Sequence, residues 1–326
     1  MARIGSAASL VAFGLALLAP SVGLAQDGGA YPSKPIQMIV PFPPGASTDL
    51  LARYLGPKLK DALGQPVIIE NRPGAGGAIG ATYVAKAAPD GHTLLIASSS
   101  VTNAPQLQKT PTFDTTRDLA PIAIAFQHPF LLVASPNLPT DHVKDLFAHA
   151  KANPGKLNIA SLGGFSDLMS QMLKKAAGLD MQVVPYRGAA EAAVGVIRGD
   201  SHMTLSAFTA AQAQVAAGQL RMMAVAGLRR SPSIPEVITL HEAGLTGFEL
   251  INVIGVLAPA ATPKFIREKL TATVASIMGS PEARQFLLSR GNDPAEDLSA
   301  EYYAAYIKKD NEKFRKVVED VGYQKQ

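Results

Sequence analysis

The chain contains no cysteine and no tryptophan, and only 17% of its 326 residues are charged. Without cysteine there is no disulfide framework, no thiolate nucleophile and no cysteine-based metal site. The six histidines (His92, His128, His142, His149, His202 and His241) fall in no metal-ligand spacing. No Walker loop and no Gly-x-Ser-x-Gly elbow occurs, so neither a cofactor nor a metal is implied. The 30 basic and 26 acidic residues leave a formal charge of +4, and basic doublets are few: Lys174-Lys175, Arg229-Arg230, Lys308-Lys309 and Arg315-Lys316. No basic stripe interleaved with aromatics is present, which removes the case for nucleic acid. A mild positive excess favours a small anionic ligand over a cationic one.

Long apolar runs are scarce as well. The clearest, Leu10–Ala19, follows Arg3, ends at Pro20 and precedes "GLA" at Gly23–Ala25. The run falls well short of the roughly 20 residues of a membrane-spanning helix. It has the charged, apolar and small-residue parts of a secretory signal peptide, cleaved after Ala25. Residues 1–25 are therefore expected to be removed and the mature chain to lie outside the cytoplasm.

Hydrophobic residues make up 47% of the chain, enough for packed cores, and the length suits about two domains. From Ile36 onward, short apolar runs alternate with stretches whose apolar residues recur at helical spacing, as in Leu51, Leu55, Leu59 and Leu63. Strands alternating with helices imply an α/β fold with mostly parallel sheets flanked by helices. Val101–Ala120 reads as irregular. Pro136 and Pro139 mark a crossing into a second α/β unit, 135–254. The strand "NVIGVLAPAATP" then returns, and only helical patterns follow. Helices without strands of their own must pack on the first unit. The expected lobes are 31–134 plus 255–326, and 135–254, joined by two hinge crossings with a cleft between them.

Two loops could carry chemistry. In "PFPPGASTD" an apolar strand ends at two prolines and a glycine, and a helix begins at once. A helix start exposes unpaired N–H groups and about half a positive charge. Gly45 and Ala46 leave the backbone approachable, Ser47 or Thr48 can cap the helix, and Asp49 sits in its first turn. The loop is either an ordinary capped turn or an anion site. "ASLGGFSD" repeats the design in the second unit, with Ser161, Gly163, Gly164 and Ser166 offering donors. "NRPGAGGAIG" fails as a dinucleotide fingerprint, since Ile79 stands where the third glycine belongs; it reads as a tight turn with close packing. Ser98–Ser100 at a strand end could be a nucleophile position or ligand-facing hydroxyls, and no base is evident. Tyr186 and Arg187 stand at another strand end, where Arg187 could clamp a carboxylate or form a surface ion pair.

The segments "YPSKPIQMIVPFPPGASTDLLAR", "VIIENRPGAGGAIGATYVAKAAPDGHTLLIASSSVTN", "DLAPIA", "VPYRG", "GQLRMMAV" and "APAATP" resemble, in order and over essentially the whole mature chain, the Bug or TctC-type receptors. These are the extracytoplasmic solute-binding proteins of tripartite tricarboxylate transporters. The resemblance implies a two-lobed periplasmic binding protein (type II-like) that closes by a hinge on a small organic carboxylate. It implies ligand contacts from Phe42, Pro44, Gly45, Ala46, Ser47, Thr48 and Asp49 in the first loop. It adds Ser99, Ser100, Thr102 and Asn103 on the strand-end wall, and Ser161, Gly163, Gly164, Phe165 and Ser166 in the second-lobe loop. Tyr186, Arg187, Ala207 and Phe208 complete the set. The chain departs from the family pattern at Ala46, Phe165 and Met169, at "LSAFT", which lacks an acid, and at "INVIG", which lacks a tryptophan. These changes are expected to make the pocket more apolar and to favour monocarboxylates with an apolar body. The implied partners are the membrane subunits of a transporter, with the receptor a monomer. Two other functions remain open at this point: a ligand sensor for a membrane kinase, and an α/β hydrolase-like enzyme.

Overall fold

The apolar runs and the amphipathic stretches behind them fold as separate strands and helices. The computed structural model describes residues 31–325, so the expected signal peptide lies outside the described residues. The first lobe begins with β1 (Ile36–Val40), α1 (Ser47–Leu63), β2 (Val67–Asn71), a 3-10 turn leading into α2 (Ala78–Ala85), and β3 (Thr93–Ser98). It continues with α3 (Ser99–Leu107), α4 (Thr115–Asp118) and β4 (Leu119–Pro129). Leu51, Leu55 and Leu59 form the buried face of α1, and Gly64 ends that helix in the left-handed conformation (φ 77°). The "NRPGAGGAIG" turn packs as closely as expected: a Cβ on Gly77 would lie 2.7 Å from Val101.

The second lobe comprises β5 (Leu131–Ala134), α5 (Val143–Ala152), β6 (Asn158–Ser161), α6 (Phe165–Ala177) and β7 (Gln182–Pro185). It is completed by α7 (Ala189–Arg198), β8 (Met203–Ser206), α8 (Phe208–Ala216) and β9 (Arg221–Val225). The chain then returns through β10 (Ile251–Pro259), α9 (Lys264–Met278), α10 (Pro281–Leu288), β11 (Asp293–Pro294) and α11 (Ala300–Asp320).

The strand orders are β11-β4-β10-β3-β1-β2 and β7-β6-β8-β5-β9. In each sheet the strand that has just crossed from the other lobe is inserted beside the third strand of that lobe. These inserted strands, β10 and β5, run antiparallel to both neighbours, while β1 pairs in parallel with β2 and β3, and β6 with β7 and β8. The two-lobed α/β architecture is as expected; its sheets are mixed rather than mostly parallel because of those two insertions.

Both lobe boundaries differ from the sequence expectation. Leu131–Ala134, expected in the first lobe, pairs with β8 and β9. Residues 251–254, expected in the second lobe, pair with β4 in the first. The crossings fall at Phe130, between β4 and β5, and at Leu250, just before β10, with no break that composition would mark. They are bonded to one another and to the end of β9: Phe130 N–H donates to Leu250 O (3.0 Å), Leu250 N–H to Ala226 O (2.8 Å), and Ala226 N–H to Phe130 O (2.7 Å).

Two further expectations are corrected. Val101–Leu107, expected irregular, is helical; Pro105 sits late in α3, where its missing N–H leaves only one helical bond unmade. The helices after β10 do not all pack on the first lobe. α9 packs on β4 and α1, and α10 stacks Phe286 on Tyr54 of α1 at 4.1 Å. α11 spans both lobes: Tyr303 and Ile307 enter the first core, Phe314 and Val318 the second. Among the described residues no helix is long and apolar enough to cross a membrane.

Candidate functional site

Because β1 and β3 are parallel neighbours, as are β6 and β8, their following loops emerge side by side at one edge of each sheet. Each leads directly into a helix, and the four N-caps are Ala46 (α1), Ser98 (α3), Gly164 (α6) and Ala207 (α8). None of them makes a side-chain cap hydrogen bond. Asp114, Ser280 and Ser299 do cap α4, α10 and α11, while α2, α5, α7 and α9 also start without a side-chain cap, so what sets the four apart is their position where the lobes meet. The two lobes meet here: Ser47 Oγ of α1 lies 3.4 Å from Thr209 Oγ1 of α8, and α3 contacts α6. Four helix starts without capping oxygens give a positive potential made of backbone rather than of charged side chains.

The first loop is approachable. Pro44 and Gly45 are exposed, Phe42, Ala46 and Ser47 half-buried, and a Cβ built on Gly45 would meet no atom within 4 Å. Neither Ser47 nor Thr48 caps the helix. Thr48 is buried and its Oγ1 has no partner. Asp49, expected to face the ligand, instead braces the loop. Its Oδ2 accepts from Gly45 N–H (2.9 Å) and Arg53 Nε (2.8 Å), and its Oδ1 from Asn71 Nδ2 (3.0 Å), which also donates to Phe42 O. Burial alone would raise the Asp49 pKa, but the bonds from Arg53, Gly45 and Asn71 together hold it below the ordinary carboxylate value.

On the strand-end wall only Ser100 is partly exposed, with its Oγ 2.8 Å from that of Ser98. Ser99 is buried; its Oγ accepts from Val253 N–H (3.0 Å) and its N–H donates to Asn252 Oδ1 (3.1 Å). Thr102 donates to Ser99 O, and Asn103 Nδ2 to Ser99 O and Asp310 Oδ2. These three expected ligand contacts hold α3 in place from behind. Asn252 in turn approaches His128 Nε2 (3.1 Å), which burial keeps neutral with a pKa lowered to about 4.

In the second-lobe loop Gly163 (φ 77°) and Gly164 (φ 53°) take positive φ, and a Cβ on either would project into open space. Ser161 is fully buried; its Oγ donates to Asp167 and accepts from Gly163 N–H. Ser166 is buried too, its N–H donating to Gly163 O. Phe165 does not form an apolar wall of the pocket. Its ring packs in the second core, 4.7 Å from Phe314 and 6.4 Å from Phe130, and Met169 is buried in the same cluster. Tyr186 presses on Gly195 of α7 and its hydroxyl meets Ser201 Oγ (3.1 Å), so it belongs to the packing behind the site. Arg187 is exposed, with its backbone N–H bonded to Glu191. Phe208 reaches across to the first lobe, where a Cβ on Gly291 would lie 2.0 Å from its Cδ1. Sequence reasoning missed Asn71, Thr209, Asn252 and Gly291. Asn252 had a visible signal, a lone amide in an otherwise apolar strand.

Two mixed α/β lobes joined by two crossings, with four helix starts gathered where the lobes meet, are the architecture of a two-lobed binding protein. A family model described as "Tripartite tricarboxylate transporter family receptor" matches residues 51–323, and the chain belongs to that TctC family, one of receptors rather than enzymes. It is 35% identical to a Pseudomonas sp. (strain P51) protein encoded between tcbD and tcbE, over 98% of this chain and 95% of that one. It is 37% identical to Protein BugT of Bordetella pertussis, over 79% of this chain and 80% of that one. Among solved structures, R. palustris Rpa4515 with adipate has a TM-score of 0.81 at 30% identity, covering 90% of this chain and 98% of that chain. MatC from Rhodopseudomonas palustris with bound malate has a TM-score of 0.78 at 29% identity, covering 88% of this chain and 100% of that chain. The periplasmic binding protein BugD has a TM-score of 0.79 at 30% identity, covering 91% and 100%.

Proposed function

We propose that the protein is a periplasmic receptor that captures a small organic dicarboxylate between its lobes and hands it to the membrane subunits of a tripartite tricarboxylate-type transporter. The observation that supports this is the ring of helix starts without capping oxygens, two from each lobe. One carboxylate suits the α1 and α6 starts, where Gly45, Gly163 and Gly164 leave the backbone bare; a second suits the α3 and α8 starts. The ligand gains contacts with both lobes only when they close, so binding shifts the population toward the closed form. Adipate and malate, the molecules bound to two structural relatives, are both dicarboxylates. Of the departures from which a preference for apolar monocarboxylates was expected, Phe165 and Met169 lie in the core and do not bear on the ligand. Calorimetry with adipate, malate and benzoate at one pH and salt tests the reading. Tighter binding of a dicarboxylate is expected, and tighter binding of benzoate would overturn the dicarboxylate class.

A further inference from the structure

Asn252 stands where the returning chain enters the first lobe, just after the crossing at Leu250, and is the lone amide of an otherwise apolar strand. In the β10–β4 ladder it lies opposite His128, and on the other side of β10 Ile254 lies opposite Ser98, the last residue of β3. Asn252 is thereby placed between a buried histidine and the first turn of α3.

Both polar ends of the amide are engaged. Its Oδ1 accepts from Ser99 N–H (3.1 Å), and its Nδ2 lies 3.1 Å from His128 Nε2. Chemistry forces this orientation. A backbone N–H only donates, so the amide oxygen must face Ser99, and the amide nitrogen, itself only a donor, must face His128. Nε2 is then the bare nitrogen of the ring, and Nδ1 carries the proton, 3.4 Å from Pro129 O. Burial keeps the ring neutral, with its pKa lowered to about 4, so Nε2 stays an acceptor at neutral pH. β10 grips Ser99 a second time, since Val253 N–H donates to Ser99 Oγ (3.0 Å).

The consequence falls on the helix start. The first N–H groups of a helix have no intrahelical partner. At α3 the first of them, on Ser99, is taken by Asn252, and Ser98 supplies no side-chain cap. The donors left to a ligand begin at Ser100, the partly exposed residue of this turn.

We propose that Asn252 is a positioning residue of the receptor: with its amide locked by the bare Nε2 of His128, it ties the start of α3 to the returning strand and so aims Ser100 at a ligand carboxylate. The proposal rests on the reading above in which one carboxylate of the ligand meets the α3 start; the locked amide does not depend on that reading.

Nitrogen NMR of the histidine rings in the full chain at pH 7 reads the lock without any change at Asn252, the His128 signals being assigned by their loss in His128→Gln. A proton on Nδ1 and a bare Nε2 are expected, and a proton on Nε2 overturns the proposal. Asn252→Leu removes both bonds and keeps the bulk. Calorimetry reads its effect with adipate and with hexanoate, which has the same chain and one carboxylate. Wild type should prefer adipate, and the variant should lose about tenfold of that preference, the worth of one hydrogen bond to a charged group. A merely structural role would weaken both ligands alike, so an unchanged adipate-to-hexanoate ratio overturns the proposal. Wild type showing no preference for adipate would refute the dicarboxylate reading by itself, and amide exchange then decides the role of Asn252. Faster exchange in the first turn of α3 in N252L, with the starts of α1, α6 and α8 unchanged, supports positioning; acceleration at all four starts, or at none, overturns it.

Discussion

Removing the Asp49 carboxylate should break three hydrogen bonds at once, those from Gly45, Arg53 and Asn71. Asp49→Ala is expected to lose about 1 kcal/mol of stability, the usual net worth of a hydrogen bond whose freed donors can turn to water, and to weaken ligand binding by loosening the loop. The folded-state pKa of Asp49 lies below its unfolded value. Its contribution is thus present above pH ~4 and lost as pH falls through the folded value. Urea titrations of wild type and variant at pH 7 and pH 2.5 should show the gap between them narrow in acid. Ala46→Leu is the complementary test. Ala46 has ordinary extended backbone (φ −67°, ψ 158°), so a larger side chain fits without strain. Binding should vanish while stability changes by less than about 1 kcal/mol; retained affinity would move the ligand away from this helix start. The approachable residues Gly45, Ala46, Gly163 and Gly164 were legible because small residues at a strand-to-helix junction have few other uses. The roles of Asp49, Ser99, Thr102 and Asn103 were not, because a polar residue beside a site looks the same in sequence whether it faces the ligand or braces the wall behind it.

At the scale of elements, α8 meets the first lobe through the Phe208 ring on Gly291 and through Thr209 beside Ser47. Gly291 has φ 67°, and a Cβ there would collide with Phe208. Gly291→Ala should unseat Phe208 and cost about 1–3 kcal/mol, with a matching loss of ligand affinity. In a Phe208→Ala background most of the affinity loss should disappear, leaving only the backbone strain; the double-mutant cycle read by calorimetry decides whether the contact carries the effect. The order of strands and helices was largely legible because each apolar run and each helical repeat announces itself locally. Four features were not read correctly. Leu131–Ala134 and 251–254 continue their neighbours without any break, so only pairing partners reveal that they belong to the other sheet. Phe165 stands at helical spacing with the buried Leu168, Met169 and Leu173, a core signal that the expectation of a pocket wall passed over. The split allegiance of α11 is silent, since its apolar repeat is the same over both lobes.

For the whole molecule, the expected behaviour is that of a monomer with two states. Adipate at 100 times its dissociation constant should raise stability by about 2.7 kcal/mol, seen as a higher melting temperature, with a smaller radius of gyration and an unchanged molecular mass by light scattering. A mass that doubles on binding would assign the compaction to dimerisation rather than closure. Such a motion has to turn about something, and the ring of bonds among Phe130, Leu250 and Ala226 joins both crossings to the end of β9. Backbone this close to the turning axis travels least, so these three bonds can stay made while the rims separate. The three amides then form an internal clock for deuterium exchange: their rate reports loss of the fold itself, and any condition that accelerates the rims but leaves this trio slow has opened the receptor without unfolding it.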